Sequence, residues 1–349
     1  MTTVNFKSPE KYTAIVENGI LKKCGGYIKE YTRGKRAFIV TDENVAPLYL
    51  ETVSDSLESV GILTEHYLIP AGEQYKTTET VEKLIYKMVE ADVTRSDFAV
   101  ALGGGVITDL VGFCSAIYLR GIDYISIPTS LLAQLDASVG GKTGCDLPYG
   151  KNLVGAFYPP KAVLTDPETL ATLPPREYAS GLAEAVKCSM IRSEKLFLRL
   201  MTDDPHTFIY DIITECLKIK RDIVDKDAFD NGDRMLLNFG HTLGHSLEKY
   251  YGFHDITHGE AVGIGMMAVT LAAEKNGICE EGTAEKLAEC LHRCRVPSTC
   301  SVDLKRLTDG AVTDKKCRGE TINLIVPKRI GQCEILPLPK NELAAFFGE

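Results

Sequence analysis

The stretch "FAVALGGGVITDLVGF", residues 98–113, decides the fold. Its short apolar run predicts a buried strand, three glycines (103–105) end that run, and a helix follows. Glycines at such a turn let the backbone approach a pyrophosphate, and the N-terminus of the next helix favours negative charge. The pattern is not a strict dinucleotide fingerprint, because Thr108 stands where the third glycine would be. It therefore indicates a nucleotide-binding turn, with a tight turn that binds no ligand as the alternative.

Strand and helix patterns alternate on both sides of this stretch. "RAFIVTD" (36–42), "YISIPTS" (124–130) and "AVLTD" (162–166) each predict a buried strand that ends in a polar turn. "TETVEKLIYKMVEA" (78–91) has helical spacing. The alternation predicts a Rossmann-like parallel sheet covered by helices, with ligands at the carboxyl ends of its strands.

The pattern changes near Pro174–Pro175, beyond which nearly every segment predicts a helix. We therefore expect an α/β domain over residues 1–174 and a mostly α-helical domain over residues 175–349. "TINLIVPKRIGQCEILPL" (321–338) is the ambiguous segment, and we interpret it as a short hairpin.

Composition limits the function classes. The net charge of −9 argues against non-specific nucleic-acid binding but permits a local basic pocket for an anionic substrate. No apolar run reaches the ~20 residues that a membrane span requires, and the N-terminus resembles no signal peptide. The eleven cysteines include no CxxC pair, which fits a reduced cytoplasmic protein.

Three of the seven histidines are candidates for one functional site. His241 and His245 stand four apart in "NFGHTLGH" (238–245), on one face of a helix if the segment is helical, and His258 follows a short turn. Catalytic zinc typically takes three protein ligands from His and carboxylates and keeps one position open. Glu184, in the apolar segment "GLAEAVKCSMI", is the best carboxylate partner, and Lys187 one turn on is placed to hold a phosphate. The alternative is that these histidines are ordinary core or surface residues.

Two lysines lie in the stretch "SVGGKTGCDLPYGKNLVG" (138–155), which we expect to be a glycine-rich loop. Lys142 and Lys151 are interpreted as facing an anion, with a mobile, solvated loop as the alternative. Asp136, just ahead in an apolar run, is expected to be buried and to meet a cation or hydrogen-bond donors. Arg120 is a candidate for the same pocket.

Taken together in order, these segments resemble the 3-dehydroquinate synthase family of sugar-phosphate cyclases. The resemblance covers nearly the whole chain, through "PAGEQYK", "ALGGGVITDLVGF", "SVGGKTG", "GKNLVGAFYPPKAVLTDPETLATLP", "SGLAEAVK", "NFGHTLGHSLE" and "HGEAVGIGM". It implies an NAD- and metal-dependent carbon–oxygen lyase of the shikimate pathway, which leads to chorismate and the aromatic amino acids. The implied reaction converts 3-deoxy-D-arabino-heptulosonate 7-phosphate to 3-dehydroquinate and phosphate by transient oxidation, phosphate elimination, re-reduction and aldol closure.

The resemblance also implies roles for individual residues. The metal ligands would be Glu184, His241 and His258, holding Zn²⁺, with Co²⁺ or another divalent ion as an alternative. The NAD contacts would be Asp42, Asn44, Glu73, Lys76, Gly104, Gly105, Val106, Asp109, Thr129, Ser130, Lys142, Lys151, Thr169, Leu170 and Thr172. The catalytic and substrate residues would be Arg120, Asp136, Lys142, Asn152, Lys187, Arg234, Asn238 and His245, with Lys315 and Lys316 as a weaker match.

Three other functions stay open from the residues. A sister cyclase such as 2-deoxy-scyllo-inosose synthase or a valiolone-type synthase would share NAD, metal and fold, and the loop around Asp146 varies among such enzymes. A metal-dependent polyol dehydrogenase would consume NAD. A non-catalytic NAD-binding protein would have lost part of the site. The family further implies a homodimer, whereas the composition and charge argue against membrane and nucleic-acid partners.

Overall fold

A seven-stranded sheet forms the centre of the first of two units, Met1–Pro174 and Pro175–Glu349, into which the chain divides. The structure, a computed structural model, describes residues 1–253, 255–312 and 320–349. The strands of the first unit are β1 (Thr2–Phe6), β2 (Tyr12–Val16), β3 (Arg36–Asp42), β4 (Leu63–Ile69), β5 (Phe98–Gly103), β6 (Asp123–Pro128), β7 (Lys142–Leu147), β8 (Gly150–Phe157) and β9 (Ala162–Thr165). Its α-helices are α1 (Cys24–Tyr31), α2 (Ala46–Glu58), α3 (Thr78–Glu90) and α4 (Gly105–Ile117).

The order of the strands is β1-β2-β9-β6-β5-β3-β4, and every neighbouring pair except the antiparallel β1–β2 is parallel. The four predicted strands, β3, β5, β6 and β9, are confirmed and form the middle of this sheet. Because they are adjacent and parallel, their carboxyl ends meet at one edge. The segments predicted to bind a ligand therefore follow neighbouring strands.

Side chains along the central strands point alternately to the two faces of the sheet, so the core has a part on each face. On β5, Ala99 and Ala101 pack with residues of α3 and α4, whereas Phe98, Val100 and Leu102 pack with residues of α1 and α2. All five side chains are buried, as expected for a strand covered on both faces. The helices α3 and α4 thus cover one face and α1 and α2 the other.

The lysine-containing stretch is a two-stranded hairpin, not the glycine-rich loop expected from its sequence. Lys142 opens β7 and Lys151 lies in β8, and the two strands pair antiparallel. Its glycines serve close approach between the strands: a Cβ on Gly144 or Gly155 would collide with the opposite backbone. The glycines therefore indicate strand contact here and not mobility.

The second unit is mostly helical, as predicted. Its helices are α5 (Pro175–Arg192), α6 (Glu194–Thr202), α7 (Ile209–Val224), α8 (His241–Tyr250), α9 (His258–Lys275), α10 (Thr283–Arg293), α11 (Leu304–Val312) and α12 (Leu343–Phe346). The ambiguous segment is a hairpin of β10 (Thr321–Arg329) and β11 (Gln332–Pro339), which confirms that interpretation. Among the described residues, no helix has the length and apolar character needed to cross a membrane.

Candidate metal centre and dinucleotide site

Three helices of the second unit bring one carboxylate and two imidazoles together. Glu184 lies on α5, His241 opens α8 and His258 opens α9. One ligand atom from each residue lies within 4.8 Å of the others. Glu184 is fully buried and Nε2 of both histidines faces its Oε1, at 3.9 Å from His241 and 3.5 Å from His258. This donor set fits a divalent ion such as zinc.

Close backbone contacts set the spacing of these helices. A Cβ on Gly259, next to His258, would overlap the backbone of Ser180, one turn before Glu184. The Gly259 N–H donates to Ser180 Oγ at 3.0 Å. Similar overlaps with backbone would follow a Cβ on Gly240 or Gly265, where α8 meets α9. The ligands are therefore positioned by main-chain contacts that larger residues would prevent.

A capping box and an arginine fix the start of α9. Thr257 accepts from Glu260 N, and the Glu260 carboxylate accepts from Thr257 N at 2.8 Å. Arg176, at the start of α5, donates to both oxygens of Glu260 at 2.8 and 2.7 Å. Although burial would raise the pKa of Glu260, its bonds with Arg176 and Thr257 lower it below its usual value. The box holds His258 at the first position of α9.

Charges around the cluster act differently on its two histidines. Glu184 forms an ion pair with Lys187, which is itself buried. Burial, followed by the charge of Lys187, holds the pKa of His241 well below its ordinary value. Burial also disfavours the charged form of His258, but its hydrogen bonds with Glu184 and Glu248 raise its pKa to about 9. Near pH 7 the ring of His241 is therefore neutral and can bind a metal directly, whereas His258 must lose a proton before it can bind a metal.

The second nitrogen of each histidine ring also faces an acceptor. His241 Nδ1 lies 3.2 Å from the backbone carbonyl of Phe239. His258 Nδ1 lies 3.3 Å from Oε1 of Glu248, a buried carboxylate on α8. Glu248 was not predicted from the sequence, although its spacing of three and seven residues from His245 and His241 places it on their face of the helix.

The remaining predicted residues of this unit lie on α8 and in the short helical turn before it. The ring centroid of His245 lies 5.3 Å from that of His241 and 6.4 Å from that of His258. Asn238 ends the short helical turn Asp233–Asn238, directly before Phe239 and Gly240. Arg234, in that turn, is buried, as is Lys220 on α7. The carboxylate of Asp227 holds the backbone of Arg234, because it accepts from the backbone N–H of residues 231, 232 and 234.

In the first unit, predicted NAD contacts follow the four central strands. Asp42 ends β3, where its Oδ1 accepts from the N–H of Asn44 and Val45 at 2.9 and 3.1 Å. Gly103 ends β5, and its carbonyl accepts from the N–H of Thr129, just beyond β6. The other contacts in this region are Gly104, Gly105 and Val106 at the start of α4, Ser130 after β6, and Thr169, Leu170 and Thr172 in the turn after β9.

The helix N-terminus after β5 fits a phosphate group. Gly104 and Gly105 have no side chains to cover their backbone. A Cβ added to Gly104 would lie 3.4 Å from Oγ of Ser130, and one added to Gly105 would lie 3.3 Å from the Cβ of Ala137. Thr108, in place of the third glycine, is buried and turns its hydroxyl to Gly105 O at 3.0 Å. The substitution therefore leaves the turn and the first N–H groups of α4 intact.

Four other predicted NAD contacts form one charged cluster. Lys76 Nζ lies 2.6 Å from Asp109 and 4.0 Å from Glu73, and Lys151 Nζ lies 3.4 Å from Glu73. Burial would lower the pKa of Lys76, but the carboxylates of Asp109, Glu73 and Asp146 raise it above its usual value. Lys76 therefore stays charged.

The same lysine reaches the hairpin of β7 and β8. Lys76 Nζ donates to Oδ1 of Asn152 at 2.7 Å, and Asn152 has a positive φ of 54°. Asp146 Oδ1 accepts from Asn152 N at 2.7 Å and so supports this uncommon backbone conformation. The cluster thus connects predicted cofactor residues with a predicted substrate residue.

The remaining candidates of the first unit are more exposed. Asp136 lies in a π-helical turn and is half-buried, which corrects the expectation of a buried carboxylate. Arg120 and Lys142 are exposed, and Arg120 has a positive φ of 67°. Lys315 and Lys316 lie outside the described residues.

The sequence matches two family descriptions in succession. Residues 66–180 match "3-dehydroquinate synthase N-terminal" and residues 181–317 match "3-dehydroquinate synthase C-terminal". The 3-dehydroquinate synthase of Enterococcus faecalis is 43% identical over 341 residues, covering 96% of this chain and 95% of that protein. That of Clostridium acetobutylicum is 42% identical and covers 95% of this chain and 94% of that protein.

Solved structures share the fold over nearly the full length. The 2-epi-5-epi-valiolone synthase of Streptomyces hygroscopicus, with NAD⁺ and Zn²⁺ bound, has a TM-score of 0.86 and 26% identity, covering 96% of this chain and 95% of that chain. A 2-deoxy-scyllo-inosose synthase with carbaglucose-6-phosphate, NAD⁺ and Co²⁺ has a TM-score of 0.88, 22% identity and 99% coverage of both chains. At that identity the second comparison shows the fold alone.

Proposed function

Because the chain belongs to the 3-dehydroquinate synthase family, we propose that it converts 3-deoxy-D-arabino-heptulosonate 7-phosphate to 3-dehydroquinate and phosphate with NAD and a divalent metal. The enzyme is thus a carbon–oxygen lyase of the shikimate pathway. Identities above 40% to 3-dehydroquinate synthases favour this substrate over those of the sister cyclases, whose solved structures are 22–26% identical.

The observation that carries the proposal is the cluster of Glu184, His241 and His258. Its carboxylate and two imidazoles form the three-ligand set of a catalytic zinc site, and the NAD⁺ and Zn²⁺ of the valiolone synthase support the same pair of cofactors. When bound, the metal supplies Lewis-acid stabilisation of an alkoxide, and NAD⁺ accepts and returns a hydride. The protein supplies position and charge around these groups.

We assign the dinucleotide to the first unit. Its pyrophosphate belongs at Gly104, Gly105 and the first N–H groups of α4, where open backbone and the helix dipole favour phosphate. The charged cluster of Glu73, Lys76, Asp109 and Lys151 offers further polar contacts. The other contacts in this assignment are Asp42, Asn44, Val106, Thr129, Ser130, Lys142, Thr169, Leu170 and Thr172.

Four cations suit the carboxylate and phosphate of the substrate. They are Arg120, Lys142, Lys187 and Arg234. Charge-assisted bonds from such groups are about twice as strong as neutral ones, so they can hold an anion in a protein whose net charge is −9. Asp136, Asn152, Asn238 and His245 complete the proposed substrate contacts.

No side chain need be assigned as a dedicated base, because the leaving phosphate can itself accept the proton that β-elimination removes. Lys187 is buried against Glu184, so it is held in one position beside the metal ligands. His245, on the same helix face as His241, is available to donate or accept a hydrogen bond at the substrate. These residues orient the substrate and stabilise its charges.

The test follows the hydride. With metal present and only trace NAD, the enzyme should convert a large excess of the heptulosonate phosphate, because each hydride taken is returned within the same turnover. Phosphate should appear one-for-one with substrate lost, and NADH absorbance should not accumulate. NADH that rises in step with substrate loss would instead indicate a polyol dehydrogenase.

Two further properties belong to the same proposal. We infer a homodimer and a cytoplasmic location from family membership and from the reduced-protein cysteine pattern. Sedimentation of the purified protein would test the first, since a single species of the 38.3 kDa monomer mass would contradict it. A search for activity in fractionated cells would test the second.

A further inference from the structure

The two histidines of the metal cluster are held by different acceptors. Both present Nε2 towards Glu184 and direct Nδ1 away from it. For His241 the Nδ1 partner is a neutral backbone carbonyl, at 3.2 Å. For His258 it is the carboxylate of Glu248, at 3.3 Å. An ionised carboxylate can only accept, so it requires Nδ1 of His258 to carry the proton and leaves Nε2 as the metal-binding atom.

The burial of Glu248 makes this contact informative. The residue is 1% exposed on α8, although Lys249 and Tyr250 after it are exposed, and a carboxylate buried without a compensating contact is costly. An apolar residue at this position would suit core packing better. A carboxylate beside the ring of a metal ligand is instead the arrangement that fixes the tautomer and orientation of the ring and raises its basicity.

We propose that Glu248 is a positioning residue for the metal site, which holds Nδ1–H of His258 and so aims Nε2 of that ring at the ion. The inference rests on the proposed metal site and assigns Glu248 no contact with substrate. His241 needs no such side chain, because the carbonyl of Phe239, two residues away in the chain, accepts from its ring. His258 opens its helix after a turn, and its ring is fixed by a side chain from α8.

The test measures Zn²⁺ affinity of the purified metal-free protein by competition with a chromophoric chelator. Glu248→Gln keeps the volume and an oxygen acceptor but removes the charge, and we expect about 10-fold weaker Zn²⁺ binding. Glu248→Leu removes the acceptor as well, and we expect about 100-fold weaker binding. Glu215→Gln on α7 makes the same change of net charge away from the cluster and should bind Zn²⁺ like the parent.

If Glu248 only supported the fold, its variants would give a different result. Thermal unfolding of each metal-free variant is measured beside its affinity, and the Co²⁺ absorption spectrum reports the ligand geometry directly. Lower unfolding temperatures with Zn²⁺ affinity within about two-fold of the parent, and an unchanged Co²⁺ spectrum, would overturn the inference. If the leucine variant does not fold, the glutamine variant alone decides by the same criterion. Failure of the parent to bind Zn²⁺ would instead contradict the proposed function.

Discussion

Gly259 lies against Ser180 so closely that its backbone N–H donates to Ser180 Oγ at 3.0 Å and no Cβ would fit between α9 and α5. Ser180 is one turn before Glu184, and Gly259 directly follows His258. The contact between the two helices therefore sets the distance between a carboxylate and an imidazole of the metal cluster. Residue size at position 259 becomes a determinant of metal binding.

Gly259→Ala should weaken both stability and Zn²⁺ binding. Its methyl group would overlap the Ser180 backbone, and relief of such overpacking costs about 1–3 kcal/mol. Urea unfolding and chelator competition measure the two effects. Gly26→Ala on α1 is the matched control, because no atom lies within 4 Å of its added Cβ. That control should be neutral or slightly stabilising, and an equally harmless Gly259→Ala would show that α5 and α9 can separate freely.

His258→Ala should lose Zn²⁺ and activity together. A missing ligand should weaken Zn²⁺ binding by more than the roughly 10–100-fold that outer contacts control. His245→Ala should retain most of its Zn²⁺ but lose turnover, because His245 is assigned to the substrate. Metal content by atomic emission, measured beside kcat, separates the two. Equal metal loss in both variants would mean that His245 is a ligand.

Lys142→Met should cut turnover by about 100-fold or more, on the order of the cost of losing one electrostatic contact to a reacting group. The unfolding midpoint should hardly change, since Lys142 is exposed at the start of β7 and surface substitutions usually alter stability by under about 0.5 kcal/mol. Lys161→Met removes another exposed lysine, paired with Asp123, and should leave kinetics unchanged. Parent-like steady-state kinetics for Lys142→Met would exclude an anion contact.

Asp146→Asn should stabilise the cofactor-free protein at pH 7. Burial, partly offset by Lys76, raises the pKa of Asp146 above its usual value. The folded protein therefore holds this proton more tightly than the unfolded chain, whose carboxyl titrates near ~3.9. As the pH rises from about 4 through the raised folded pKa, the parent loses stability, and the asparagine variant does not. The advantage of the variant should vanish below about pH 4.

Urea unfolding midpoints of the parent and of Asp146→Asn, measured across pH 3–7, would test the predicted direction of this stability difference. Asparagine keeps an oxygen for the Asn152 N–H, so the hairpin bond survives the change. A variant that is less stable than the parent at pH 7 would show that the attraction between Asp146 and Lys76 outweighs the cost of burial.

The sequence predicted the sheet best where its signals were local. Residues 98–113 contain a strand, a glycine turn and a helix within one stretch, and the structure has β5, the turn and α4 there. The hairpin of β7 and β8 was mistaken for a loop because glycine indicates flexibility and close strand contact equally well. Only the partner strand distinguishes them, and the pairing of Gly144 with Gly155 is not visible in either segment alone.

The site shows the same division between local and distant signals. Glu184 could be selected by its apolar surroundings and the histidines by their proximity in the sequence, while the family resemblance chose His241 and His258 among them. The structure brings these three residues together, and metal binding itself stays a prediction. Glu248 was missed because its partner is ten residues away on another helix. Its position on the face of His241 and His245 could have revealed it.

The glycine contacts between α8 and α9 separate positions that cannot be substituted from neighbouring positions that can. Backbone contact at Gly240 and Gly265 limits how near the two helices lie. Apolar neighbours such as Leu243 and Val262 can therefore be exchanged for residues of similar volume with little displacement of the ligands. A lineage could replace much of this core by neutral steps and keep its metal chemistry, as long as the few glycines stay unchanged.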